Sequence, residues 1–379
     1  MKADDSPALR VPSGDDAAAS VARFAVPGRL LSLDPHTSGL INHSWVAAFE
    51  APEGRRRYFL QQINRHVFHR PDEVMENMER VTRHVALRLS QAGSPDAARR
   101  VLTLVPTREG ASRHVDAAGE TWRLVPWVEG THATERATTE AEARETARAF
   151  GRFLAQLQDL PGPPLHETIL AFHDTPARLA AFERAVAKSP GSRAASCRSE
   201  IEALLDRRPL ASALALAAAR GEIPVRPTHN DAKIANVLFD DASGEALCVV
   251  DLDTVMPGLS LHDFGDLARS TVSDSEEDER DLSRVSVRVP VFAALARGFI
   301  EGAGDALSPA ERALLVTGAE VIVYEQAIRF LADHLDGDRY YRTTRPGHNL
   351  DRARTQVRLL EGLEQAGPDL RLIVSGLQA

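Results

Sequence analysis

The chain has few cysteines, no long apolar runs and no excess of positive charge. Only two of its 379 residues, Cys197 and Cys248, are cysteines. Two cysteines cannot form a disulfide framework or a cysteine-based zinc site, and they predict a reducing, cytoplasmic compartment. No run of about 18 apolar residues occurs, so we expect no helix that crosses a membrane.

The charge balance excludes two classes of partner. Acidic residues number 54 against 45 basic ones, which gives a net charge of −9. A general nucleic-acid or anionic-membrane binder is normally basic, so we expect neither partner. The first ten residues carry two aspartates and no apolar core, which does not fit a signal peptide. Residues 1–22 are rich in Ala, Asp, Ser and Pro and predict a flexible N-terminus.

The composition that remains is that of an ordinary soluble enzyme, with 43% hydrophobic and 26% charged residues. The length suffices for one large globular domain or for two lobes with separate cores. The first 130 residues show mostly short strand patterns, bounded by turn residues. These patterns cover 45–50 and 57–63, which form one hairpin around 51–54, then 101–105, and a second hairpin of 113–116 with 121–128.

Helical patterns dominate elsewhere. Apolar residues at three- and four-residue spacing predict an amphipathic helix over 71–91, with Pro71 in its first turn. Thr139 and Glu142 form a capping-box pattern at the start of another helix. The acidic run 274–281 predicts a solvated loop or helix face. Further helices are predicted from residue 175, over 199–220, 286–303, 309–335 and 349–366.

A small hairpin interrupts the helical part. Two β-like runs, 236–240 and 246–251, are joined by a turn and follow directly on the polar cluster 228–236. A local departure from the surrounding pattern often marks a functional site.

Three oxygen-bearing side chains in this region suit phosphoryl transfer from ATP. Asp231 and Asn236 are five residues apart, and Asp251 follows at the end of the hairpin. One carboxylate can accept the proton of an attacking hydroxyl, while an amide oxygen and a second carboxylate hold Mg²⁺ against the phosphates. Each residue alone would be a turn residue or a strand cap. Their order and spacing together favour a kinase site.

The chain also resembles the aminoglycoside phosphotransferase superfamily, a kinase-like fold that acts on small molecules. Within it, the resemblance is strongest to the N-acetylhexosamine 1-kinases, from about residue 24 to residue 366. The matching stretches are Tyr-Phe-Leu-Gln-Gln-Ile-Asn (58–64), Met-Glu-Asn-Met-Glu-Arg-Val-Thr (75–82), Thr-His-Asn-Asp-Ala-Lys (228–233), Val-Asp-Leu-Asp-Thr-Val-Met-Pro-Gly (250–258), Asp-Phe-Gly-Asp (263–266), Arg-Phe-Leu-Ala-Asp (329–333) and His-Asn-Leu (348–350).

The resemblance implies a bilobal, kinase-like α+β fold. A nucleotide-binding lobe over 23–128 would hold a mostly antiparallel sheet of about five strands and one helix. A larger helical lobe over 129–379 would carry the catalytic and substrate-binding residues. The implied reaction moves the γ-phosphate of ATP to the anomeric hydroxyl at C1 of GlcNAc or GalNAc, giving the sugar 1-phosphate.

The family's catalytic roles carry over by position. Asp231 matches the catalytic base, and Asn236 and Asp251 match the magnesium ligands. Lys233 lies where kinases often place a cation near the transferred phosphate. Asp253 is a weaker candidate that could assist the metal, and we expect His229 to brace the loop.

One apparent metal motif does not fit. Asp263 begins the Asp-Phe-Gly sequence of protein kinases, but it lies 32 residues after Asp231 and away from the hairpin end. Asp251 fits the metal role better. We expect Asp263 or Asp266 to bond the backbone of the catalytic loop instead.

The nucleotide side is less distinctive. The loop 36–43, with Gly39 as its single glycine, is the candidate phosphate-covering loop. Gln61 occupies the strand position where kinases usually have a lysine that binds the α- and β-phosphates. The segment 126–128 corresponds to the hinge that binds adenine. Pro126 has no N–H, so Trp127 or Val128 would donate.

The acceptor pocket is expected to use Arg329 and Tyr340, with His348 as a further candidate. An arginine can fork onto a phosphoryl group and a tyrosine can cover a sugar face. Seven arginines between 329 and 358 argue mildly against a polycationic acceptor.

Two other functions stay open. The chain could be a different small-molecule kinase, such as one for aminoglycosides, choline or homoserine. It could also be a non-catalytic nucleotide-binding module, which the missing strand lysine would favour. The preferred epimer, the need for the 2-acetamido group, the anomer and the oligomeric state are not determined by the sequence.

Overall fold

The computed structural model describes residues 12–37, 41–189 and 191–377, without the side chain of Ser192. The chain divides into two compact units, Met1–Glu129 and Gly130–Ala379. The lobe boundary that we predicted, between 128 and 129, lies one residue from this division.

The first unit is built on one antiparallel sheet. Its five strands are in the order β1-β2-β3-β5-β4, and every pair is antiparallel. The elements are α1 (Gly14–Val21), β1 (Arg29–His36), β2 (His43–Ala51), β3 (Gly54–Gln62), α2 (Pro71–Gln91), β4 (His114–Val115) and β5 (Thr121–Pro126).

Both predicted hairpins and the helix over 71–91 are confirmed, but two details differ. Residues 101–105 form no strand, although the N–H of Val105 bonds the Leu124 carbonyl at 2.9 Å. The fifth strand is β1, which contains Pro35 and which our strand patterns did not include. β1 is an edge strand, where proline is tolerated.

Part of the N-terminus is helical rather than flexible. Ser13 and Asp16 form a capping box at the start of α1. Ala17 and Val21 on that helix are buried in a cluster that contains Trp45 and Trp122 of the sheet. For residues 14–21 the composition misled us, and the capping box was the available signal, whereas residues 1–11 lie outside the described residues.

The second unit is mainly helical. Its strands are β6 (Thr131–His132), β7 (Arg226–Thr228), β8 (Val237–Asp240), β9 (Ala246–Val249) and β10 (Met256–Gly258). Its helices are α3 (Glu140–Gln156), α4 (Thr175–Lys188), α5 (Ser192–Ser196), α6 (Arg198–Asp206), α7 (Leu210–Ala219), α8 (Ser260–Thr271), α9 (Val289–Ala303), α10 (Pro309–Ala313), α11 (Leu315–Asp336) and α12 (His348–Gly376).

The capping box of Thr139 and Glu142 is confirmed at α3. Two long predicted helices are each divided in two. The run 199–220 breaks before α7, where Pro209 lacks the N–H that a continuous helix needs. The run 309–335 breaks at Leu314, between α10 and α11. The kinase-like α+β class is confirmed, with an antiparallel-sheet unit followed by a mainly helical one.

Helices α8 and α11 cross at very short range. A Cβ added to Gly265 would lie 2.5 Å from the Gly318 carbonyl oxygen. Only glycine allows this approach, which brings His262 on α8 close to the buried middle of α11. Among the described residues, no helix combines the length and apolarity that a membrane crossing requires.

Candidate active site

The loop between β7 and β8 brings three predicted residues together. Asn236 donates from Nδ2 to the backbone oxygen of Asp231 at 2.8 Å and to its Oδ2 at 3.0 Å. Lys233 Nζ donates to the same Oδ2 at 2.9 Å. A short 3₁₀ turn, Ile234–Asn236, then leads directly into β8. The residues from Asp231 to Asn236 therefore form one turn, in which the Asn236 side chain folds back onto the Asp231 carboxylate.

Asp251 follows β9, the partner of β8. Val237 pairs with Val249, and the N–H of Val250 donates to the Asn236 carbonyl at 2.9 Å. This pairing places Asp251 at the same end of the hairpin as Asn236. Asp251 has a φ of +61°, in the left-handed region that aspartate tolerates better than most residues.

Carboxylates outnumber the one nearby ammonium group in this cluster. Burial works to raise the pKa of Asp231, but the ammonium of Lys233 outweighs it, so the pKa lies below its usual range. Asp251 keeps solvent contact. The pKa of Asp251 nevertheless rises to about 6, because the protein around it desolvates the carboxylate and because Asp253 and Asp231 lie nearby. The cluster holds an excess of negative charge that Lys233 only partly offsets.

This donor set fits a magnesium ion. Asn236 uses Nδ2 for both of its bonds to Asp231, so Oδ1 is the polar atom that it can offer to a ligand. Asp251 adds a carboxylate in a negatively charged setting. Mg²⁺ typically takes one or two carboxylates together with waters and phosphate oxygens. No group of three or more His, Cys, Asp or Glu that could hold a metal occurs in the described parts of the chain.

Asp263 supports the catalytic loop, as we predicted. Its two carboxylate oxygens accept the N–H of His229 at 3.0 Å and of Asn230 at 2.6 Å. The alternative, Asp266, instead pairs with Arg269 at 2.8 Å. The Asp-Phe-Gly sequence therefore serves the backbone of this loop.

Asn230 fixes the loop against β10. Its φ is +64°, and its Nδ2 donates to the carbonyls of Thr228, Thr254 and Met256. A Cβ added to Gly258 would lie 2.4 Å from Asn230 Oδ1, so only glycine leaves room for this contact.

His229 is fully buried and braces the loop, as expected. Its Nε2 donates to the Val250 carbonyl at 2.9 Å, and its Nδ1 accepts the N–H of Asp231 at 3.3 Å. Its ring packs edge-on against Phe150 and Phe153 of α3.

Arg329 lies on α11 with its side chain 11% exposed. Its guanidinium stacks over the rings of Phe172 and Tyr341 at 5.7 and 5.8 Å. Tyr340, which we predicted as a substrate contact, is 70% exposed. Both Tyr340 and its neighbour Tyr341 interact with Arg329, and the Tyr341 hydroxyl is buried without a hydrogen bond.

Asp333 holds this tyrosine segment in place. Its carboxylate accepts the backbone N–H groups of Arg339, Tyr340 and Tyr341 and an amide proton of Asn349. Sequence reasoning gave Asp333 no role. His348, the third acceptor candidate, pairs with Asp278 at 3.0 Å through Nε2 and accepts the N–H of Thr344.

The acidic run 274–281 is not merely solvated, because its carboxylates form ion pairs. Five of the seven arginines between 329 and 358 also pair with carboxylates, so the argument against a cationic acceptor is weakened. The pairs of the run are Asp274–Arg288, Glu276–Arg136, Glu277–Arg269, Asp278–Arg345 and Glu279–Arg284. The arginine pairs are Arg329–Glu325, Arg345–Asp351, Arg352–Glu277, Arg354–Glu200 and Arg358–Glu361.

In the first unit, Gln61 is held by a buried arginine. Arg123 on β5 is 2% exposed and pairs with Gln61 of β3 in the sheet register. It donates to Gln61 Oε1 from Nε at 3.0 Å and from a terminal nitrogen at 2.7 Å. The amide Nε2 of Gln61 is thereby the donor end, and it donates to Ser44 Oγ on β2 at 3.3 Å. An arginine between the buried Trp122 and Leu124 was the signal we missed.

The hinge prediction needs one correction. The N–H of Trp127 donates to the Arg57 carbonyl at 3.0 Å, so it continues the sheet and is not an available donor. Its ring stacks under the guanidinium of Arg57 at 4.7 Å. Val128 stays a prediction. Gly39 lies outside the described residues.

A buried histidine pair adjoins the loop. The rings of His173 and His262 are 4.8 Å apart. Burial and the neighbouring His173 lower the pKa of His262 to about 3. Between about pH 3 and 6.5 the unfolded chain therefore binds a proton at His262 that the folded chain does not. The folded state loses stability as the pH falls through this window.

We expect His262→Asn to remove that loss. The difference in unfolding free energy between pH 7 and pH 4 should shrink by about 2–3 kcal/mol relative to wild type. Urea unfolding at both pH values measures it, with His69→Asn on an exposed histidine as control. Equal pH slopes in wild type and His262→Asn would contradict the assignment.

Comparisons with known proteins agree with this fold. The profile of the phosphotransferase enzyme family matches residues 33–311. An aminoglycoside phosphotransferase from Alicyclobacillus acidocaldarius superposes with a TM-score of 0.61 at 16% identity, covering 97% of this chain and 99% of that chain. A spectinomycin phosphotransferase in complex with ADP and spectinomycin superposes with a TM-score of 0.55 at 12% identity, covering 89% of this chain and 94% of that chain. A choline kinase from Cryptosporidium parvum superposes with a TM-score of 0.53 at 11% identity, covering 92% of this chain and 93% of that chain.

Proposed function

Because the chain belongs to the phosphotransferase enzyme family, we propose that it is an ATP- and Mg²⁺-dependent kinase for an N-acetylhexosamine. The γ-phosphate would pass to the anomeric hydroxyl of GlcNAc or GalNAc. The observation that carries the phosphotransfer is the cluster of Asp231, Lys233 and Asn236 beside Asp251. The sugar specificity rests on the sequence resemblance of the stretches at 58–64, 75–82 and 250–258.

The roles follow from the geometry. Asp231 is held ionised by Lys233 and Asn236. A carboxylate of low pKa is a weak base, so it orients the sugar hydroxyl and takes its proton as the bond to phosphorus forms. Lys233 can also reach a phosphoryl oxygen from the same position. Asn236 Oδ1 and Asp251 would hold Mg²⁺, which neutralises charge on the phosphates when bound.

The nucleotide side uses the first unit. Gln61, with its amide fixed by Arg123, would donate to a phosphate oxygen. The backbone of Val128 and the loop around Gly39 are the other proposed contacts with ATP. For the acceptor we propose Arg329 and Tyr340.

A direct assay tests this function. The purified chain is incubated with ATP, MgCl₂ and a panel of GlcNAc, GalNAc, glucosamine, choline and an aminoglycoside, and ADP is followed. We expect ADP release with the acetylated hexosamines and a ³¹P–¹³C coupling at C1 of the product. Turnover of choline or an aminoglycoside alone would replace the sugar by another acceptor. ATP binding without any turnover would favour a non-catalytic module.

The second candidate function, another small-molecule kinase, has one observation in its favour. The arginines that argued against a cationic acceptor are largely paired with carboxylates. The same panel separates the two functions.

A further inference from the structure

We propose that His173 and Glu325 are positioning residues for Asp231, acting through the peptide that joins Asn230 to Asp231. The inference rests on the proposed phosphotransfer function. Neither residue belongs to a motif that the sequence singled out.

That peptide is held at both ends by imidazoles. The Asn230 carbonyl accepts from His173 Nε2 at 2.9 Å, and the N–H of Asp231 donates to His229 Nδ1 at 3.3 Å. His173 precedes α4, whereas His229 follows β7. Because Asn230 has a φ of +64°, no regular secondary structure fixes this peptide. Its orientation sets the direction of the Asp231 side chain.

His173 is orientated in turn by Glu325 of α11. Its Nδ1 lies 2.9 Å from Glu325 Oε1, and Thr175 donates to the other carboxylate oxygen at 2.6 Å. With Glu325 ionised, both partners of His173 are acceptors, so both ring nitrogens carry hydrogens and the ring is an imidazolium. The side chains are 9% and 0% exposed, so the pair is buried.

The surroundings support this charge state. The titratable groups around His173 are Glu325 from α11 and His262, Asp263 and Asp266 from α8, with Arg329 beside Glu325. Burial opposes the charge of His173, but Glu325 outweighs it and raises the pKa of His173. Burial would likewise raise the pKa of Glu325, yet His173 lowers it to about 2.

The same carboxylate also reaches the proposed acceptor residue. Glu325 lies 3.7 Å from Arg329, one helical turn away. A buried ion pair contributes little net stability but fixes one geometry, because either partner alone would leave an uncompensated charge. The Glu325–His173 pair thus connects Arg329, the proposed sugar contact on α11, with the peptide that precedes Asp231.

Glu325→Gln is the informative variant. A neutral glutamine no longer holds the proton on His173, so burial leaves the ring neutral and one of its two hydrogen bonds is lost. We expect kcat to fall by about 10- to 100-fold at pH 8, since misplacement by about 1 Å can cost that much, with the KM for ATP within about twofold.

The matched control is Glu320→Gln, which removes another buried carboxylate from the same helix, where Glu320 pairs with Arg371. We expect its kcat to stay within about twofold of wild type. A double variant separates positioning from stability. If His173 acts only through Asp231, adding His173→Gln to Asp231→Asn should cause no further loss.

Ring-nitrogen NMR of His173 gives a readout that needs no turnover. We expect a doubly protonated ring at pH 8 in wild type and a neutral ring in Glu325→Gln. A neutral ring in wild type, an unchanged kcat in Glu325→Gln, or losses that multiply in the double variant would overturn the inference. A wild type that phosphorylates no acceptor would refute the proposed function alone. The NMR result would still decide whether Glu325 keeps His173 protonated.

Discussion

Asp231→Asn should lower kcat by about 10²- to 10⁴-fold, the range that a positioned general base contributes. The amide cannot accept the proton of the sugar hydroxyl, and it loses the charge that Lys233 Nζ pairs with at 2.9 Å. Affinity for ADP should change by less than about threefold, because the proposed nucleotide contacts lie on other residues. Coupled ADP release and calorimetric ADP titration measure the two quantities.

Asp305→Asn is the matched control for this prediction. Asp305 is an exposed residue in the 3₁₀ turn Gly304–Ala306, and its variant should retain wild-type kcat. Turnover of Asp231→Asn close to that of the control would remove Asp231 from the role of base.

Asp251→Asn should have opposite effects on activity and stability. Activity should fall by at least about 100-fold, or roughly 3 kcal/mol, because one proposed magnesium ligand loses its charge. In EDTA the melting temperature should rise, by about 2–4 °C for each kcal/mol of repulsion removed. The reason is that the carboxylate lies near those of Asp253 and Asp231. Initial rates against Mg²⁺ concentration and calorimetry in EDTA test both effects.

This combination distinguishes a metal ligand from a structural aspartate. Loss of a structural aspartate would lower both activity and melting temperature, as expected for a buried hydrogen-bonded group. An unchanged response to Mg²⁺, or a lower melting temperature in EDTA, would contradict the proposed role of Asp251. Asp305→Asn again serves as the control.

The hairpin of the candidate site was predictable because its contacts are local. Asn236 bonds Asp231 five residues away, and β8 pairs with β9 across a short turn. Such contacts follow from spacing and turn residues. The role of Asp263 was also predicted, although its partners are 33 and 34 residues away, because the resemblance carried that information.

The residues that sequence reasoning missed have partners far along the chain. Arg123 meets Gln61 across 62 positions, and His173 meets Glu325 across 152. Arg123 and Glu325 are charged residues within apolar stretches, which shows that each needs a partner but not which one. The charge argument from the arginines was weakened for the same reason, since Arg354 pairs with Glu200.

The sequence by itself determined the antiparallel hairpins, the amphipathic helices and the turn that gathers Asp231, Lys233 and Asn236, because these depend on neighbours within a few residues. Only the tertiary structure decided which buried charges face one another. Burial makes an unpaired charge costly. The packing that brings distant segments into contact therefore decides the partners of His173 and of Arg123, which are Glu325 and Gln61.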